Sequence, residues 1–198
     1  MANPSVVTAP SHLPLAMEDL KRHLAIDEDD DTQDALLWSV NEAATSVAET
    51  FTYRRFVTTT LDYSIDKFPE GAHISLPGGQ LQSITSLTYT DDDSTSAVWG
   101  ASNYTAITSH EPGLLGLATT ATTWPSVTLR PRDGVVIRYV VGYGTGDQVP
   151  GSIRGAISLL ASHLYQNRES VVIGAGLSSA KVPDTHQAML LPHRLWSF

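Results

Sequence analysis

A chain of 198 residues with 41% hydrophobic and 17% charged side chains has the composition of an ordinary globular protein, long enough to bury roughly 70% of its unfolded surface. Its net charge of -9 at pH 7, from 12 Lys and Arg against 21 Asp and Glu, excludes the electrostatic footprint of a protein that grips a nucleic-acid backbone. The sequence holds no cysteine, which excludes disulfides, thiolate metal sites and cysteine nucleophiles.

Residues 1–14 carry Pro4, Pro10 and Pro14 among small polar residues, which predicts an extended arm with no packing of its own. This stretch has neither a basic segment nor a continuous apolar one, and no later stretch approaches the roughly 20 apolar residues of a membrane span. Synthesis in the cytosol and no membrane partner are the expectation. Leu15, Met17, Leu20, Leu24 and Ile26 then fall at near-helical spacing and predict a short first helix. In "DEDDDTQDALLWSVNEAATSVAETF" the residues Leu36, Leu37, Val40, Ala43, Ala44, Val47, Ala48 and Phe51 form one stripe of period 3.6. The acidic opening, with Asp30 or Asp31 as cap, suits the positive end of the helix dipole.

From Arg55 to Val141 the texture changes to Thr, Val, Ile, Tyr and Gly with frequent turn residues, the pattern of a β-rich region. The predicted strands are "RFVTTTLDYSI", "HISLP", "ITSLTYT", "NYTAIT" and "GVVIRYVV", separated by "FPEGA", "PGGQ", "DDDS" and "EPG". In the last strand Val135, Ile137, Tyr139 and Val141 share one face. From Pro150 to Arg168, Ile153, Ala156, Ile157, Leu160, Ala161 and Leu164 mark a long helix with Pro near its start. A final short helix is predicted from Asp184 to Leu191, broken by Pro192. The fold class is α+β: two N-terminal helices and one long C-terminal helix form a scaffold for an inserted antiparallel β-rich region. The implied organisation is an arm over 1–14, a helical core over 15–54 and 150–182, an insertion over 55–149 and a C-terminal arm over 183–198.

Gly142, Gly144 and Gly146 follow a strand and precede a helix, as in a dinucleotide loop, but the third glycine is too early and the helix begins beyond Pro150. A flexible strand-to-helix corner is the favoured reading over a phosphate cradle. Asp27, Asp29 and Asp31 occupy the first three ligand positions of a calcium loop, yet Thr32 stands where the turn needs Gly and Trp38 where it needs the bidentate Glu. The seven histidines lack HxH or HExxH spacing, and no GxSxG elbow occurs. The chain calls for no metal, no cofactor and no catalytic residue. Arg168, in the last turn of the long helix, suits the helix dipole, with an ion pair between subunits as a further use.

Three blocks together resemble the head-tail connector (adaptor) proteins of tailed bacteriophages. "MEDLKRHLAIDEDDDTQDALLWSVNEAATSVAETFTYRRFV" is similar to the family's N-terminal helical pair, and "ISLPGGQLQSITSLTYTDDD" to its Leu-Pro, strand, Tyr-x-Asp segment. "VVGYGTGDQVPGSIRGAISLLASHLYQNRESVV" is similar to its Gly-Tyr-Gly, Val-Pro, long helix and Tyr-x-Asn-Arg-Glu ending, and "LLPHR" matches in the tail. The chain departs from the pattern at "PGGQLQ", where a Pro-Val pair is expected, and at Leu164, where a Trp is common.

The resemblance implies a structural virion protein of the neck, without catalysis: a ring of roughly twelve copies under the portal. The ring would extend the DNA channel towards a head-completion (stopper) or tail protein, and DNA would pass without specific binding, in keeping with the acidic charge. Gly142, Gly144 and Gly146 would then be a hinge between the inserted sheet and a channel-lining helix. Subunit-interface candidates are Ala43, Ala44, Ser46 and Ala48, whose small side chains permit close approach, with Arg168 and Glu169. Portal-docking candidates are Leu195, Trp196 and Phe198, aromatic and apolar residues at the chain end, with folding back onto the core as the equal alternative for them. Two other readings stand beside it. One is a carbohydrate- or ligand-binding β-rich module stacking on Trp99, Tyr104 and Trp124; the other is an enzyme built from dispersed carboxylates and histidines.

Overall fold

Strand alternation in the middle of the chain resolves into two antiparallel sheets. The computed structural model describes residues 4–121, 123–167 and 185–196. The chain divides into two units. One comprises Met1–Ser11, Tyr53–Tyr143 and Leu195–Phe198, the other His12–Thr52 and Gly144–Arg194.

In the sheet unit, β1 (Ser5–Thr8), β2 (Thr59–Ile65), β4 (Leu81–Thr90), β5 (Ser96–Trp99) and β8 (Val135–Val141) form a five-stranded sheet of order β1-β2-β8-β4-β5. A three-stranded sheet of order β3-β7-β6 combines β3 (His73–Leu76), β6 (Tyr104–Ile107) and β7 (Gly113–Leu117). The central strand β8 alternates as its sequence predicts: Val135, Ile137, Tyr139 and Val141 are wholly buried, while Arg138 faces out. They pack with Leu61, Leu76, Leu87 and Leu115 into the core of this unit. Tyr139 donates its hydroxyl to the Pro77 carbonyl at 2.8 Å, so the one polar atom it brings into the core is satisfied. On the outer face Arg138 grips Asp62, its cross-strand partner, through two hydrogen bonds of 2.7 and 2.8 Å.

Two expectations need correction here. The N-terminal arm does pack: Ser5, Val6 and Thr8 pair with Asp62, Leu61 and Thr60 of β2, around a bulge. Edge pairing uses backbone groups, which composition does not reveal. The middle of the chain also contains two more strands than predicted, β5 and β7. "GLLGL" lacks β-branched residues, and its glycines serve close packing: a Cβ on Gly116 would lie 2.9 Å from Ile107 Cδ1.

The helical unit contains α1 (Met17–His23), α2 (Asp34–Thr52), α3 (Gly151–Gln166) and α4 (Thr185–Leu190). α2 lies along α3, α4 packs on α3, and α1 touches both α2 and α3. Leu20, Leu37, Ala44, Ala48, Ile153, Ile157 and Ala161 are almost fully enclosed. The buried stripe of α2 is rotated from the apolar one expected. Leu37, Val40, Asn41, Ala44, Thr45, Ala48 and Thr52 point inward, while Ala43 and Val47 are exposed. Hydrogen bonds help make this possible: Asn41 donates from Nδ2 to the Leu15 carbonyl at 2.9 Å, and Thr52 from Oγ1 to the Ala48 carbonyl at 2.8 Å.

Candidate functional site

The acidic run before α2 builds a loop. The helix starts at Asp34, so the run lies ahead of it, and Asp30 accepts hydrogen bonds at Oδ1 from the Thr32 backbone N–H (3.0 Å) and hydroxyl (2.6 Å). Those bonds hold the Asp30 carboxyl below its ordinary range. Lys21, nearly buried, reaches the Glu28 carbonyl at 3.2 Å and Asp34 Oδ1 at 2.7 Å. Its pKa is raised, chiefly by the hydrogen bond to Asp34. The run is thus tied by a lysine and its own backbone. Among the described residues no group of three His, Asp or Glu could hold a metal ion, and no helix is long and apolar enough to cross a membrane.

At the glycine-rich corner the chain passes between the two units, after Tyr143. Gly142 adopts φ +113°, and a Cβ there would sit 2.6 Å from the Val57 carbonyl oxygen. Its N–H donates to the Gln80 carbonyl at 2.9 Å, and that of Tyr143 to the Phe56 carbonyl at 2.8 Å. Beyond it, the Thr145 N–H donates to Gln148 Oε1 at 2.8 Å and the Gly146 N–H to His12 Nε2 at 3.1 Å. A phosphate cradle needs backbone N–H groups aimed at the ligand. Here these four are committed within the protein, so the corner is a structural turn, with a capping box from Thr145 to Gln148.

The four small residues of α2 separate. Ala44 and Ala48 are enclosed within the helical unit, whereas Ala43 and Ser46 lie on its exposed face beside Trp38 and Val47. At the C-terminus Leu195 is buried and Trp196 is 72% exposed. Next to them the Arg194 guanidinium lies 5.0 Å from the centre of the Phe51 ring. Arg168, Glu169 and Phe198 lie outside the described residues.

The aromatic residues of the stacking platform pack on one another. The Trp99 ring lies 5.9 Å from Tyr104 and 5.5 Å from Trp124, and Trp124 stacks on Phe68 at 5.4 Å with planes 10° apart. Trp124 donates from Nε1 to the Gly71 carbonyl at 2.7 Å. Tyr104 is buried, and Phe68 covers one face of Trp124. Nearby, Lys67, Phe68 and residues 125–129 line an open groove of about 420 Å³, with a single charged residue among them.

One polar pair has no signal in the sequence. Ser152 Oγ and His193 Nε2 are 2.7 Å apart, separated by 41 positions. The bond ties the 3₁₀ turn Leu191–His193 to the first turn of α3.

Helices that precede and follow two antiparallel sheets in chain order define an α+β protein with a β-rich insertion. That fold is shared at full length with chains from gene transfer agent (GTA) particles. A chain from the neck of the empty GTA particle, computed with C6 symmetry, matches with a TM-score of 0.79 at 20% identity, covering 100% of this chain and 97% of that one. A chain from the virion of the native GTA particle matches with a TM-score of 0.77 at 19% identity, with the same coverage. A chain from the neck of the native particle, computed with C12 symmetry, gives 0.75 at 20% identity, again with 100% and 97% covered. No family model and no curated protein matches the sequence.

Proposed function

We propose that this protein is a structural component of a virion neck, a head-tail connector (adaptor) whose copies form a closed ring beneath the portal and prolong the DNA channel towards the tail. The observation that carries the reading is the end-to-end likeness to neck chains of particles computed with C6 and C12 symmetry. The net charge of -9 fits a passage that repels a polyanion and lets it slide. In such a ring each subunit presents two different faces that complement one another. The exposed side of α2, with Ala43 and Ser46, is the candidate for close approach between neighbours. Gly142, Gly144 and Gly146 set the turn at which the sheet unit gives way to the helical one. Trp196 is the candidate anchor on the portal, and a head-completion or tail protein is the partner on the other side.

The test is light scattering across a concentration series, with negative-stain images of the most concentrated sample, alone and mixed with portal. Closed rings with a central hole are expected. A chain that stays monomeric in both conditions and does not bind portal would overturn the proposal. Trp196→Ala should leave the melting temperature unchanged and weaken portal binding by about tenfold or more, the size of an aromatic hot spot.

A further inference from the structure

The five-stranded sheet ends in two short strands, β1 on one side and β5 on the other. Among the described residues β1 pairs only with β2, and β5 only with β4, so each presents one row of backbone N–H and C=O groups away from its partner. Natural proteins commonly blunt such edges with charged side chains or proline. Neither Ser5–Thr8 nor Ser96–Trp99 contains either kind of residue; the bulge beside Val7 is the one such device on β1. Both strands instead expose valine. Val6 is 45% and Val7 43% exposed, and Val98, at 69%, is the most open large aliphatic side chain among the described residues. The edge strands of the smaller sheet, β3 and β6, expose no large hydrophobic side chain, so the feature belongs to the five-stranded sheet alone.

We infer that the β5 edge of one copy pairs with the β1 edge of the next, so that the five-stranded sheets of neighbouring copies join into one continuous sheet. The occupant of each edge is a second copy of this chain. The two edges differ and stand at opposite ends of the same sheet, which makes the contact heterologous: using β5 leaves β1 free for another copy, the requirement for a ring and not for a two-fold dimer. Backbone pairing supplies the ladder, and the exposed valines cover one another as cross-strand neighbours. Neither strand carries a charged residue of its own. The inference rests on the ring reading for its closure, but the pairing can be tested without it.

The lack of native cysteine makes the test clean. Val6→Cys and Val98→Cys, each at an exposed side chain, are prepared as two separately tagged full-length proteins, mixed and treated with a short bismaleimide, whose reach covers directly opposed and diagonal strand neighbours. The expected result is a covalent heterodimer in excess of either homodimer. In parallel, Val98→Lys should keep the circular dichroism and melting temperature of the parent while weakening self-association by roughly tenfold or more. Rings that survive Val98→Lys and yield no heterodimer would overturn the edge pairing and leave the ring standing. Heterodimer without rings at any concentration would support the pairing and count against the ring. Neither product would overturn both.

Discussion

Tyr139 and Gly142, three positions apart, carry opposite constraints. Tyr139 is fully buried and bonded to the Pro77 carbonyl, so Tyr139→Phe keeps the packing but leaves a half-buried acceptor without its donor. Chemical denaturation should register a loss of about 1–2 kcal/mol at neutral pH. Burial also pushes the Tyr139 phenol far above its ordinary value, and those of Tyr104 and Tyr143 upward. A group whose pKa is raised by folding contributes stability that is intact below the unfolded value, about 10 for tyrosine, and is lost as pH climbs beyond it. The protein should therefore lose stability from about pH 10 upward, and Tyr139→Phe should make that decline shallower by about 1.4 kcal/mol per pH unit. Equal slopes for parent and variant would show that this phenol does not govern the alkaline limb. At Gly142 the limit is steric, because any Cβ meets the Val57 carbonyl while φ stays at +113°. Gly142→Ala should cost about 1–3 kcal/mol or more, measured by the same unfolding curves.

For the elements, α2 is the instructive case. Apolar periodicity located the helix, yet the buried stripe runs through Asn41, Thr45 and Thr52 and leaves Ala43 and Val47 outside. The reason is that burial follows what packs against the helix, and the Leu15 carbonyl that receives Asn41, ahead of α1, lies 26 residues away. The two adjacent alanines should separate by experiment. Ala44→Leu must overfill an enclosed site and is expected to destabilise by about 1–3 kcal/mol, whereas Ala43→Leu should stay within about 0.5 kcal/mol of the parent. Thermal melts of the two variants decide it, and equal losses would contradict the orientation of α2. The strands divide similarly. β8 was legible because alternation on a half-buried surface is written in its own residues, but β1 and β7 were not, since one relies on backbone pairing and the other on glycines that admit a neighbour.

At the level of the whole molecule, two units are linked by a chain that leaves the helices at Thr52 and returns at Gly144. The acidic run is tied to Lys21 and its own backbone, the aromatic residues are packed on one another, and the glycine corner has its N–H groups committed. The features left over are exposed ones: the outer side of α2, Trp196, and the two valine-bearing edges of a sheet. The ring, portal and cross-linking experiments measure directly whether these surfaces pack against other chains.

By itself the sequence determined the α+β class, the long helices, the central strand and the acidic balance, because hydrophobic period, turn residues and charge are local properties of the chain. The tertiary structure alone decided which side of α2 is buried, that the N-terminal arm becomes an edge strand, that Trp99 packs against Tyr104 and Trp124, and that Ser152 meets His193. Each of these depends on a partner far away in sequence, and local spacing carries no information about which distant surface a residue will meet.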